Sequence, residues 1–255
     1  MIRVGFMGFG QTGREAVFPF FGSKRVDLCW VMKHSDELRG LYASSFHHLD
    51  YDKAPIFSEC DWSEEFLIQN PVDVVVDFSN SSNVCKYDLL ARHGIRIVSA
   101  VSKYSDEEVA LLQQLSTQTA IIWSPNITLG INILLMASRF IQAATPEADI
   151  QILESHFKDK KEISGTAQRI ADTLGVDHDN IHSIRAGGIL GEHEIIFGYP
   201  YQTIRLSHDT ISRRAFGRGA LSCCRWIYKK KTGLFNMSDM LVEDMRDWLN
   251  GLEIA

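Results

Sequence analysis

Residues 2–13 read IRVGFMGFGQTG, a short β-prone run that passes straight into Gly8-Phe9-Gly10-Gln11-Thr12-Gly13 and then into the helix-compatible REAVFPFF. Strand, G-x-G-x-x-G, helix is the order of a dinucleotide-binding unit, and each glycine has a physical task in it. Gly8 permits the tight turn, Gly10 lets the backbone approach a pyrophosphate, and Gly13 lets the helix pack closely on the strand. The first helical turn then offers unpaired N–H groups and the positive end of its dipole to the phosphates.

The pattern continues outward as a doubly wound parallel sheet. VDLCWVM (26–32) is a second strand, and it ends where a dinucleotide's adenosine ribose sits. An NAD-preferring unit commonly places an acid there. This chain presents Lys33-His34-Ser35, cationic and hydroxyl donors suited to a 2′-phosphate, so NADPH is favoured over NADH, with Asp36 and Glu37 just beyond. VDVVVDF (72–78), IRIVSAV (95–101) and TAIIWSP (119–125) read as buried strands separated by helical segments, one closed by Gly94 and one spanning 106–115. Ligands bind at the carboxyl edge of such sheets, which places Ser79, Ala100, Ser102 and Asn126 among candidate cofactor contacts.

Beyond Pro125 the texture changes. NITLGINILLMASRFIQAATPEAD (126–149) reads as a long apolar helix, and three strand-like runs follow from Ile150, Gly187 and Tyr201, with the helix TAQRIADTLG (166–175) between the first two. RRAFGRGALSCCRWIYKK (213–230) looks helical despite Gly217 and Gly219. The expected organisation is a Rossmann-type α/β domain from 1–125 plus 232–255 and an α+β domain from 126–231 that binds substrate and supports oligomerisation.

Composition narrows the function classes. A net charge of -6 argues against a nucleic-acid surface, with Lys229-Lys230-Lys231 read as a solvated face. No apolar run is long enough to span a bilayer, which makes a cytoplasmic enzyme the expectation. The five cysteines have no metal-ligand spacing, and His47-His48 lacks partners, so no metal is expected.

One stretch concentrates chemistry: ESHFKDKKEISGTA (154–167) follows a strand and opens a helix. His156 can exchange a proton near neutral pH, and Lys160 adds a cation. Ser164-Gly165-Thr166 turns helix N–H groups towards an anion. On residue types alone, a solvated charged loop and an active site for a small acidic molecule both remain open.

The same stretch resembles the dihydrodipicolinate reductase family, whose signature is Glu-x-His-His-x-x-Lys-x-Asp-x-x-Ser-Gly-Thr-Ala. The resemblance extends to SPNITLGIN (124–132), RAGGILGEHE (185–194), SHDTISRRAF (207–216) and TGLFNMSDML (232–241). It implies NAD(P)H-dependent reduction of a cyclic imine dicarboxylate on the diaminopimelate route to lysine, by a homotetramer or dimer. It makes His156 the proton donor and Lys160 its partner, with Ser164, Gly165 and Thr166 on a substrate carboxylate and Arg213 nearby. It assigns the cofactor to Gly8–Gly13, His34, Ala100, Val101, Ser102, Ser124, Pro125, Asn126 and Ile127, to which the strand-edge reading adds Lys33 and Ser79. The chain also departs from the family pattern, with a loop before Ser164 one residue shorter and without its proline. Phe157 replaces the second histidine, Ala100-Val101-Ser102-Lys103 replaces a Gly-Thr-Thr-Gly turn, and the family's extended segment between Thr166 and Arg185 is missing. These departures keep two alternatives in view: reduction of a different imine acid on the same fold, and a cofactor-binding paralogue without catalysis.

Overall fold

Two sheets organise the chain, of which the computed structural model describes residues 1–251. The first runs β1 (Ile2–Met7), β2 (Val26–Lys33), β3 (Ile56–Ser58), β4 (Val74–Asp77), β5 (Arg96–Ser99), β6 (Ala120–Trp123) and, much later, β11 (Gly233–Phe235). Its spatial order is β11-β6-β5-β4-β1-β2-β3, with every pairing parallel. The order reverses direction beside β1, which is the switch point of a doubly wound fold. Strands β4, β5 and β6 are buried almost throughout, as a parallel sheet covered on both faces requires.

Helices α1 (Gln11–Phe21), α2 (Glu64–Gln69), α3 (Tyr87–Arg92) and α4 (Asp106–Leu115) alternate with these strands. Two of the motif glycines are sterically obligatory. Gly8 has a φ of 92°, and a Cβ there would stand 2.5 Å from the Phe78 carbonyl carbon. A Cβ on Gly13 would stand 1.9 Å from the Gly8 carbonyl oxygen. Gly10 has no protein atom in the way of a Cβ, so the space beside it is open. α1 starts with no side-chain cap, which leaves its first N–H groups facing that space.

The second sheet is mixed, in the order β10-β9-β7-β8. β7 (Asp149–His156) pairs parallel with β8 (Ile181–Arg185) and antiparallel with β9 (Glu192–Tyr199), and β9 pairs antiparallel with β10 (Gln202–Asp209). Helices α5 (Leu129–Ala144) and α6 (Gly165–Leu174) cover one face, and Ile131, Ile152, Ile170, Ile195 and Phe197 form the core between. The strict alternation of β7 and β9, buried and half-buried by turns, is that of a sheet covered on one side.

The compact units are Met1–Thr128 with the return from Arg213, and Leu129–Ser212. The boundary expected at 231 therefore moves to 212, because α7 (Arg214–Ile227) belongs to the first unit. The reason lies in the two glycines that made its helicity uncertain. A Cβ on Gly217 would stand 1.9 Å from the Ala16 carbonyl oxygen, and one on Gly219 would stand 1.7 Å from that of Ile127. Only glycine lets α7 lie this close to α1 and to the loop after β6. α8 (Met237–Asn250) closes the described chain on a capping box from Asn236. No helix among the described residues is long and apolar enough to cross a membrane.

Candidate active site

In the first unit the glycine loop borders a cleft of about 320 Å³, lined by Gly8, Phe9, Gly10, Lys33, His34 and Ser79 among others. An adjoining cavity of about 470 Å³ is lined by Gly10, Gln11, Arg14, Glu15, Lys33 and Arg213. A larger cavity of about 620 Å³ lies by Ile2, Lys24 and Trp226. Ile2 starts β1 and the glycine loop follows its end, so that cavity is at the opposite edge of the sheet.

The open backbone at Gly10 and the uncapped α1 suit a dinucleotide pyrophosphate, and Arg14, Lys33 and Arg213 stand around them together with the acid Glu15. Phe9 itself is buried and offers only its backbone. The Arg14 guanidinium lies over the rings of Phe9 and Phe46, at 5.4 and 4.9 Å. Lys33 Nζ is held by Ser35 and by Glu37 Oε2, the latter at 2.7 Å, and this bond lowers the Glu37 carboxyl below its usual range. His34 Nδ1 meets Glu59 Oε2 at 2.6 Å, and Lys86 Nζ meets the other oxygen of Glu59 at 2.6 Å. Burial pushes the Glu59 carboxyl up, but the bonds from Lys86 and His34 outweigh it and leave it below its usual range.

The loops after β4, β5 and β6 hold the remaining cofactor candidates in fixed positions. The buried Asp77 carboxyl accepts from Ser79 N–H at 2.7 Å and from Tyr87 O–H at 2.7 Å, and burial raises its pKa. Ala100 N–H donates to Asp77 O, and Val101 O accepts the Trp123 indole N–H at 2.9 Å. Ser124 Oγ donates to Asn126 O at 2.8 Å, while Ile127 is buried and Ser102 and Pro125 are exposed.

In the second unit, β7 is a strand, so Glu154 and His156 at i and i+2 share its buried face. The fully buried Glu154 carboxylate takes His156 Nδ1 on one oxygen. On the other it accepts from Arg185 Nη2 at 2.6 Å and Ser183 Oγ at 2.5 Å. Burial alone would raise the Glu154 carboxyl, yet the bonds from Arg185, Ser183 and His156 outweigh it and bring it down to about 2. Arg185 also donates through Nε to Lys160 O at 2.8 Å and through Nη2 to Glu162 O at 3.0 Å. One guanidinium thus ties the histidine's carboxylate to the turn that carries Lys160, a turn closed by Lys160 N–H on Phe157 O.

With Nδ1 occupied, His156 has Nε2 left for chemistry, and it faces Gly191, where a Cβ would stand 3.1 Å away. The side chain is mostly buried, 11% exposed. Ser164 caps α6, accepting Thr166 N–H at 3.2 Å, and Gly165 beside it is open. His193, opposite Glu154 on β9, meets Ser164 Oγ through Nε2 at 2.9 Å, and its ring lies 5.5 Å from that of His156.

His156, Lys160 and Ser164-Gly165-Thr166 therefore belong to one unit and one end of its sheet. Arg213 belongs to the first unit, beside Gly10 and Arg14, because the chain returns to that unit at residue 213. Phe157 is 44% exposed and takes no part in the Glu154 cluster. Sequence reading missed Glu154, Ser183, Arg185 and His193. Glu154 and His156 share a strand face by simple alternation, but Ser183 and Arg185 come from β8, a strand that no run in the sequence announced.

Comparison with known proteins then assigns the lineage. Residues 2–127 match the model described as dihydrodipicolinate reductase, N-terminus, and residues 130–241 that of the C-terminus. A 4-hydroxy-tetrahydrodipicolinate reductase from Caldanaerobacter subterraneus subsp. tengcongensis is 32% identical over 68% of this chain and 78% of that protein. One from Wigglesworthia glossinidia brevipalpis is 30% identical over 81% and 83%. Among solved structures, a dipicolinate-bound dihydrodipicolinate reductase from Paenisporosarcina sp. TG-14 shares the fold, with a TM-score of 0.74, 23% identity, and 92% and 97% of the two chains covered.

Proposed function

The chain belongs to the dihydrodipicolinate reductase family, and from that premise we propose that it reduces dihydrodipicolinate with NAD(P)H, on the diaminopimelate route to lysine, through the Glu154–His156 pair. The observation that carries this reading is the buried carboxylate of Glu154, ionised down to about 2 and locked by Arg185 onto Nδ1 of His156.

Gly8 to Gly13 and the α1 N-terminus would hold the cofactor's pyrophosphate, and the loops at Ser79, Ala100–Ser102 and Ser124–Ile127 its nicotinamide half. When bound, the reduced cofactor supplies a hydride to a ring carbon of the imine. The chain's own task is the proton and the two carboxylates. The ionised carboxylate can only accept, so it keeps a proton on Nδ1 and fixes the ring's orientation; Nε2 then serves as donor when the ring carries its second proton, which it gives to the conjugated nitrogen system. Lys160 attracts the dianionic substrate, and the N-terminus of α6, open at Gly165, receives one of its carboxylates beside Thr166. Phe157 in place of a histidine would point to a different imine substrate, but its exposed ring leaves the Glu154 cluster intact, and no observation favours that reading.

Purified protein, freshly generated dihydrodipicolinate and NADPH or NADH, followed by loss of nicotinamide absorbance, test the proposal. Turnover that survives both His156→Ala and Lys160→Ala would sink it. For the cofactor we favour NADPH, because Arg14, Lys33 and Arg213 converge beside the glycine loop. Lys33→Ala should erode the preference for NADPH over NADH, and an unchanged preference counts against the 2′-phosphate reading. A cytoplasmic homotetramer built through the second sheet fits Leu153 and Ile196, half-buried on the face that α5 and α6 do not cover. Mass measurement in solution should find four copies, and Ile196→Arg should lower that number.

A further inference from the structure

The row of residues that β9 turns towards the core is His193, Ile195 and Phe197. Two are apolar and one is an imidazole that is 5% exposed. Burial, followed by the nearness of His156, lowers its pKa to about 4, so it is a neutral histidine at any ordinary pH. A leucine would fit such a position at less cost, and the placement of a histidine there calls for a hydrogen-bonding task.

Its Nε2 has one partner among the described residues, and either atom of that pair can be the donor. Ser164 Oγ accepts Thr166 N–H at 3.2 Å, and its only other hydrogen-bonding neighbour among the described residues is His193 Nε2 at 2.9 Å. The arrangement that uses the hydroxyl proton sends it to Nε2 and puts the imidazole's own proton on Nδ1, which is buried with no protein partner. Fixing the hydroxyl proton on Nε2 leaves a lone pair of Ser164 Oγ aimed at Thr166 N–H. The helix start is then held in one geometry, with the open backbone of Gly165 between the two capped positions.

We propose that His193 is a positioning residue for the substrate, setting the direction of the Ser164 hydroxyl and through it the anion cradle at the N-terminus of α6, a role that presupposes the reading of Ser164-Gly165-Thr166 as a carboxylate site. His193 touches neither substrate nor cofactor in this role. It acts across the sheet, from β9 onto the first turn of a helix that follows β7.

The test compares His193→Leu, Ser164→Ala, the double variant and the conservative His193→Gln, each first checked for a native-like melt. For His193→Leu and Ser164→Ala the KM for dihydrodipicolinate should rise by about tenfold, the scale of one hydrogen bond. kcat and the KM for NADPH should stay at wild-type values. The double variant should be no worse than the poorer single, and His193→Gln, which can still accept from Ser164, should recover most of the loss. An unchanged substrate KM in His193→Leu, or additive effects in the double variant, would overturn the role. Should wild-type protein fail to reduce dihydrodipicolinate, the functional reading falls, and imidazole nitrogen NMR of the free protein still decides this one. A proton on Nδ1 of His193 in wild type that loses its fixed tautomer in Ser164→Ala supports it, and a proton on Nε2 in wild type refutes it.

Discussion

Glu154 shows how much one side chain can organise at the residue scale. It is fully buried, yet it stays ionised because Arg185, Ser183 and His156 fill its two oxygens. Replacing one partner of such a cluster strands the others, so Glu154→Gln should lose about 3 kcal/mol of stability, read from urea midpoints. It should also lower kcat, because Nδ1 of His156 would no longer face an anion. His156→Ala should cost about 10²–10⁴-fold in kcat, the usual worth of a positioned proton donor. Acid should weaken the fold in two stages. His193 has its pKa lowered in the folded state from 6.5 to about 4, so the unfolded chain binds a proton that the native one refuses. Its penalty is absent above pH 6.5 and grows as pH falls towards 4, up to about 3 kcal/mol. Glu154, lowered from 4.5 to about 2, adds a further loss as pH falls from 4.5 to 2. His193→Gln should therefore flatten the decline between pH 6.5 and 4 while leaving the lower stage in place, and an unchanged slope would count against the buried neutral imidazole.

Elements in this chain are placed largely by where a Cβ cannot go. Gly13 brings α1 against the turn at Gly8, and Gly217 and Gly219 bring α7 against α1 and the loop at Ile127. An alanine at any of them must push backbone from backbone, since the clash is with a carbonyl oxygen rather than a side chain. Gly219→Ala should lower the thermal midpoint by at least several degrees, as an overpacked core site loses about 1–3 kcal/mol. Gly22→Ala, where a Cβ would meet no atom within 4 Å, serves as the control and should leave it nearly unchanged. Interior glycines count against a helix by propensity alone. At 217 and 219 tertiary packing overrides that propensity, which is why the helix there was legible but the unit it packs into was not.

The whole molecule is a discontinuous first unit into which the second is inserted. A fragment ending at residue 128 would keep the glycine motif yet lack α7 and β11, the strand that pairs with β6. It should show no cooperative melt, whereas the full chain should melt cooperatively and gain about 2.7 kcal/mol from NADPH at a hundred times its Kd. Much of this plan was already written in the order of residues. The strand-glycine-helix opening, the apolar runs of β4 to β6 and the charged stretch that carries His156 and Lys160 are local patterns, which act on neighbours in the chain. What only the tertiary structure decided are relations between residues far apart in it. Arg185 joins Glu154 to the Lys160 turn from across a strand pairing, His193 reaches Ser164 from another strand, and Arg213 returns to the first unit rather than the second. Hydrogen-bond partners and close approaches of that kind depend on register and packing, and a single sequence states neither.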